Sequence, residues 1–261
     1  MTPHALVTND DGIYSVFLHC LVEALLPRFK VSVAAPAHEQ SWKGRSMTRH
    51  GEVEVVRSKT DFPEGVEAWS INGTPTDCVN IALGNLLHEK PDIVLSGINI
   101  GYNTTQPLIL SSGTVAGAIE GALWGLPAMA FSKCIPKEQF ESISKSRGLA
   151  DPDLNSSLTI AAKHSARMAL EALYDTRHLG SVININFPSQ TTANSQIIDT
   201  VPAKLRLGGL FEETTPGKFT FRYSDGIEID SNAKTDRSAL SNGNISRSIL
   251  DFSRIGKHSE E

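Results

Sequence analysis

The sequence predicts an α/β protein built on a mostly parallel, doubly wound sheet sandwiched by helices, with a C-terminal β-hairpin-rich extension. Three observations predict it. The first 35 residues read as strand, helix, strand, the length of an ordinary βαβ unit. Later apolar runs such as Asp-Ile-Val-Leu-Ser at 92–96 are near-continuous, as strands covered on both faces must be. Beyond Pro188 the pattern changes to short, glycine-punctuated pieces, which fit hairpins better than another αβ repeat.

The elements follow in order. Residues 4–8 are a buried strand, and Phe17, Leu18, Leu21, Val22, Leu25 and Leu26 then recur at helical spacing until Pro27 stops the pattern. Val-Ser-Val-Ala-Ala at 31–35 is the second strand, closed by Pro36, and a right-handed crossover joins the two. After a polar loop at 37–49, alternating residues at 52–56 and 66–71 predict a two-stranded excursion. Thr74 or Thr76 caps a helix with Val79, Ala82, Leu83 and Leu86 on one face. The strand at 92–96 opens a long amide-rich loop, and a small-residue helix at 114–125 and a strand at 126–132 succeed it. Residues 134–153 show no period and read as surface loop; 158–174 is an amphipathic helix, and 182–187 the strand it delivers. Phe-Thr-Phe-Arg-Tyr-Ser at 219–224 and Ile-Glu-Ile-Asp at 227–230 are strand-like, and a disordered tail is expected from about 255.

Composition removes several function classes. The 261 residues carry a formal net charge of −5 without a Lys/Arg cluster, so a nucleic-acid duplex or a membrane surface is not an expected partner. No apolar run approaches the ~18 residues that span a bilayer. Cys20, Cys78 and Cys134 are odd in number and widely spaced, which fits reduced thiols in a cytoplasmic protein.

The chemistry concentrates at strand ends. In doubly wound sheets, ligands bind beyond the carboxyl ends of the strands, where Asn9, Asp10 and Asp11 fall. Adjacent carboxylates raise each other's pKa, and a hard divalent cation keeps both ionised. Taken alone, Asn-Asp-Asp-Gly fits a plain turn equally well. Other strand ends add Ser41, Asn99 and Asn103, oxygen ligands suited to Mg²⁺, Mn²⁺ or Ca²⁺ rather than zinc. Ser112, Gly113 and Thr114 open a helix, where free N–H groups and the dipole favour phosphate, although the same residues serve as a simple cap. An aspartyl-phosphate phosphatase needs Asp-x-Asp on one strand face, which adjacent acids do not supply.

Together these motifs resemble those of the survival protein SurE family of metal-dependent nucleotidases. The resemblance rests on TNDDGI (8–13), VAAP followed by Ser41, GTPTDCV (73–79), PDIVLSGINxGxN (91–103), SGTVAGAxEGxxxGxPAxAxS (112–132), ININFP (183–188) and a sparser TDxxALxxGxIS (235–246). It implies a Rossmann-like core over 1–190 with the excursion near 51–71, a hairpin and oligomerisation extension over 191–254, a tail at 255–261, and a homodimer or homotetramer. It implies hydrolysis of nucleoside 5′-monophosphates, with 3′-monophosphates or short polyphosphate as further substrates. One Mg²⁺ or Mn²⁺ per subunit, replaceable by Ca²⁺ in crystals, would be held by Asp10, Asp11, Ser41 and Asn99. Asn9, Asn103, Ser112, Gly113 and Thr114 would hold the phosphate, and Asp10 is the candidate to orient or deprotonate water. Tyr14, Ser15, Val16 and Phe17 are bulkier than the family's residues, and Trp42, Lys43 and Arg45 stand where a substrate rim would be. A non-catalytic nucleotide- or metal-binding module with a narrowed pocket is the alternative.

Overall fold

The computed structural model describes residues 2–58, 62–149, 151–229 and 234–252. Its first half runs β1 (His4–Thr8), α1 (Val16–Leu25), β2 (Lys30–Pro36), β3 (Val55–Arg57), β4 (Glu67–Ile71), α2 (Pro75–Ile81), β5 (Ile93–Ile100), α3 (Gln106–Ser111), α4 (Gly113–Leu123) and β6 (Ala128–Lys133). The second half runs α5 (Lys137–Lys145), α6 (Pro152–Ala172), β7 (Ser181–Phe187), β8 (Ile197–Thr200), β9 (Leu205–Arg206), β10 (Phe211–Thr215), β11 (Lys218–Phe221), β12 (Ile227–Glu228), α7 (Asp236–Ser241) and β13 (Ile245–Asp251).

One sheet carries the order β3-β4-β2-β1-β5-β6-β7-β13-β8. From β4 through β7 neighbouring strands are parallel, β3 returns antiparallel at one edge, and β13 enters antiparallel against β7 with β8 beside it. The two-residue period of a strand sorts the apolar side chains to opposite faces. Ala5, Val7, Leu95 and Phe131 join one core with α1 and α6. Leu6 and Val94 face α2, and Ala128 and Ala130 face α4. The small residues of α4 let it approach the sheet backbone closely: a Cβ on Gly121 would lie 2.5 Å from the Cβ of Val94.

The opening elements stand where the sequence puts them, and four later expectations change. The excursion near 51–71 is no protrusion, because β4 pairs in parallel with β2 and only β3 folds back on it. Residues 134–153 contain α5, whose only buried residue is Ile143, so no apolar stripe marked it. The amide-rich loop contains α3, a six-residue helix opened by Gln106-Pro107. Past residue 190 the chain returns to the main sheet through β8 and β13, which leaves the β9–β12 and β10–β11 pairs as the hairpin extension. The end of the 227–230 piece and the tail at 255–261 lie outside the described residues.

The chain leaves β1 towards β2 and β4 and comes back on its other side as β5. This reversal opens a crevice beyond the carboxyl ends of β1 and β5, the position at which doubly wound sheets bind ligands.

Candidate active site

After Thr8 the chain turns through Asn9, Asp10, Asp11 and Gly12. Gly12 holds φ +97, which glycine adopts without a steric penalty. The Nδ2 of Asn9 donates to the Gly12 carbonyl at 2.9 Å, while its Oδ1 is buried without a partner among the described residues. Ile13 N–H donates to the Pro36 carbonyl at 2.8 Å and Gln40 N–H to the Asp10 carbonyl at 2.7 Å, so the loops after β1 and β2 are knitted together. Ser41 follows at once. Further along, Gly44 N–H bonds the Ser111 carbonyl at 2.9 Å, fixing the Ser41 loop from its other end.

Asp10 is buried, and its Oδ1 accepts a hydrogen bond from the Thr114 hydroxyl. The start of α4 therefore abuts the first strand end. Gly113 makes the approach feasible, because a Cβ there would stand 2.7 Å from the Cβ of Asp10. Ser112 caps α4 by accepting the Val115 N–H at 3.0 Å. The Oδ2 of Asp11 accepts the Ile100 N–H at 2.9 Å and so ties β1 to the end of β5. Burial pushes the Asp10 carboxyl up to about 6, against the Thr114 hydrogen bond and with some help from Glu39. Asp11 is raised well above the usual carboxylate range by burial and then by the charge of Asp10.

The ladder between β5 and β6 breaks between Ser96 and Asn99, an irregularity of the kind that re-aims a side chain. The Nδ2 of Asn99 donates to the Gly101 carbonyl at 2.9 Å. Asn103 is gripped on every side: its N–H donates to Asn186 Oδ1 at 2.8 Å, its carbonyl accepts from Asn184 and Asn186, and its Nδ2 donates to Ser132 Oγ at 2.8 Å.

Asp10, Ser41, Trp42, Asn99, Asn103 and Ser112 line one cleft of about 530 Å³, a size in the ~300–1,000 Å³ range of small-molecule sites. Asn9, Asp11, Gly113 and Thr114 stand behind it and hold its floor. Lys43 is exposed and outside the lining, and Arg45 turns away to pair with Glu120 on α4 at 2.6 Å. Tyr14 is also outside, half exposed beneath the Arg147 guanidinium. Of Tyr14, Val16, Phe17 and Trp42, Trp42 alone borders the cleft.

The donor set suits a hard divalent cation. Two carboxylates that repel each other, a hydroxyl and an amide oxygen offer oxygen ligands alone, and a cation offsets the burial of adjacent anions. The described residues contain no group of three or more His, Cys, Asp or Glu placed to hold a metal ion. Such an ion would depend on the hydroxyl and amide oxygens as well, a sparse set typical of Mg²⁺ bound together with substrate phosphate.

The sequence model of the family described as Survival protein SurE matches residues 5–206. The chain belongs to the SurE family. A protein of Methanoculleus marisnigri named 5′-nucleotidase SurE is 35% identical over 249 residues, 94% of this chain and 90% of its own. Two Prochlorococcus marinus proteins of the same name are 39% and 44% identical over stretches covering 72% and 56% of this chain. Those stretches span 64% and 55% of the two relatives, less than two thirds of their length. Among solved structures, the SurE protein from Aquifex aeolicus superimposes with a TM-score of 0.70 at 27% identity, covering 95% of this chain and 93% of that one. The SurE match includes every residue of the cleft floor and ends at β9, before the β10–β11 hairpin.

Sequence reasoning assigned no role to four fully buried polar residues in or around this SurE cleft. Asn184 and Asn186 clamp Asn103, and their alternation inside the apolar run 182–187 was a signal, since polar side chains on one face of a buried strand need partners. Asp236 accepts the N–H groups of Thr105 at 2.7 Å and Ala203 at 3.0 Å, bridging the Asn103 loop to the chain beyond β8. Lys133 is fully buried, and its Nζ donates to Ser157 Oγ at 2.8 Å and to the carbonyls of Pro188 and Ser189 at 3.0 Å. Burial lowers its pKa to about 8. No pattern in the sequence distinguished this lysine from a surface one.

Proposed function

We propose that the chain is a 5′-nucleotidase of the SurE type, a divalent-metal-dependent phosphomonoesterase that converts nucleoside 5′-monophosphates to nucleoside and phosphate. The observation that carries this reading is the Thr114–Asp10 hydrogen bond, which unites an acid pair with a helix N-terminus on one cleft. Asp10, Asp11, Ser41 and Asn99 would hold one Mg²⁺ or Mn²⁺. When bound, such an ion offsets charge on a phosphoryl oxygen and lowers the pKa of water.

The chain's own residues do the positioning. Asn103, Ser112, Gly113 and Thr114 seat the phosphate, with the α4 dipole favouring its charge. Asn9 supports the turn from beneath. Asp10 orients the attacking water and accepts its proton. Trp42 is the rim residue; Lys43, outside the lining, and Arg45, paired with Glu120, are not. The alternative, a binding module whose pocket Tyr14 and Trp42 narrow, has less support, because Tyr14 lies outside the cleft and the cleft keeps about 530 Å³ with Trp42 in its lining.

The test is phosphate release from AMP, 3′-AMP and tripolyphosphate with Mg²⁺ or Mn²⁺ and with EDTA. Release from AMP that EDTA abolishes is expected, and turnover of the other two would extend the substrate range. Nucleotide binding without turnover under every metal would replace the reading by the non-catalytic one.

We also propose a homodimer or homotetramer formed through the extension, where Phe211, Phe219 and Ile227 are 67%, 61% and 69% exposed. Sedimentation velocity reads this directly, and a monomer at micromolar concentration would refute it. A cytoplasmic location is supported by three unpaired cysteines, all with thiol pKa values raised by burial. Among the described residues, no helix is long and apolar enough to cross a membrane. Fractionation that recovers the protein outside the cytoplasm would refute that placement.

A further inference from the structure

The cleft has a wall that phosphate chemistry alone does not require. Trp42 directly follows Ser41 and holds φ +62, a conformation that bulky residues rarely adopt and that persists where the surrounding structure imposes it. Its ring centroid lies 4.8 Å from that of Phe221 and 6.0 Å from that of Tyr223. All three rings line the cleft, yet they remain 40%, 39% and 41% exposed. The Tyr223 hydroxyl meets that of Tyr102, the residue before Asn103, at 3.0 Å. Lys137 of α5 pairs with Asp225 at 3.2 Å. The strand end of the extension is thus tied across the cleft to the core at Tyr102 and at α5, and its two rings border the cleft tilted by 60° and 55° to the ring of Trp42.

Such faces favour an occupant that is flat and aromatic, and the floor favours one that carries phosphate. A nucleobase joined through ribose to a phosphate is both.

We propose that Trp42, Phe221 and Tyr223 form the surface against which the base of the nucleotide stacks, so that this wall, and not the acid pair, sets which phosphate esters the cleft prefers. The proposal rests on the nucleotidase reading above and deepens it. Stacking strengthens with ring area, which orders the substrates AMP, CMP and ribose 5-phosphate from best to worst. The hairpin extension then has a second duty: it contributes two of the three rings, and the loop after β2 contributes the third.

The experiment measures kcat/KM for these three phosphates in the full chain, in Trp42→Gly and in Phe221→Ala. Glycine accepts the φ of position 42, so the first variant keeps the loop backbone. The preference for AMP over ribose 5-phosphate is expected to fall about tenfold in Trp42→Gly through KM, and in the same direction in Phe221→Ala. A preference unchanged in both variants overturns the wall while leaving the nucleotidase reading intact. If the full chain releases phosphate from none of the three, the nucleotidase reading fails, and an adenosine titration followed by tryptophan fluorescence decides the wall by itself. Quenching in the full chain that Trp42→Gly loses supports it; equal or absent quenching overturns it.

Discussion

Asp10 and Asp77 are both buried carboxylates, 3% and 4% exposed, and they are satisfied in opposite ways. Asp77 collects its donors from backbone and hydroxyl groups: Thr48 N–H at 3.0 Å, Thr48 Oγ1 at 2.7 Å and Thr74 N–H at 2.9 Å. It closes a reciprocal capping box on α2, since Thr74 in turn accepts the Asp77 N–H. Asp10 instead meets the Thr114 hydroxyl, an adjacent acid and an open cleft. The first carboxylate completes a structure; the second leaves a demand that only a ligand or a proton meets. Burial alone therefore does not single out an acid for a functional role, whereas burial beside a like charge at a cleft makes it a candidate.

The comparison can be broken in three ways. The largest effect is expected from Asp10→Asn, which should cut phosphate release from AMP on the order of 10³-fold, the several kcal/mol that metal stabilisation supplies. The same change removes a like-charge contact, so the metal-free variant should unfold at a higher urea midpoint than the parent at neutral pH. A lower midpoint would make Asp10 structural after all. Next in size, Asp77→Ala should destabilise the fold by about 2 kcal/mol through orphaned N–H groups and a lost cap. Urea unfolding with little change in m would show it, and a neutral result would remove the contrast.

The smallest effect is a pH dependence. The folded pKa of Asp10 is raised from 3.8 to about 6, so the fold favours its protonated form. Metal-free stability should accordingly decline as pH rises from about 4 to about 6, and the raised pKa of Asp11 extends the decline upward. Since a cation must displace that proton, Mn²⁺ should raise the melting temperature more at about pH 7.5 than at about pH 4.5. An equal rise at both would place the ion elsewhere.

Elements whose burial follows a simple period were legible from the sequence. β1 was anticipated residue for residue, and α1, β2 and β7 to within a few residues at their ends, because each shows one apolar stripe or a continuous buried run; the stripe of α6 was also read, but the helix begins at Pro152 rather than 158. α5 escaped because Ile143 alone enters the core. β13 escaped for a different reason: its sequence says strand, but its partner β7 lies some sixty residues away in the chain, and no local signal encodes that pairing. At the cleft, the strand-end acids and Ser41 were visible as residue types at loop positions, and Asn99 as an amide just past a strand expected to end at 96, although β5 runs on through it to Ile100. The orientation of Arg45 was not, because the partner that draws it off, Glu120, lies 75 residues along the chain on a helix whose docking only the fold defines.

Asp236 gives the cleft a temporal order. A nascent chain emerges from the ribosome amino end first, so the acid pair and the parallel strands exist before Asp236, which fastens the Thr105 and Ala203 amides. The loop bearing Asn103 thus receives this clasp only once Asp236 has been made, well after the strands that frame the cleft.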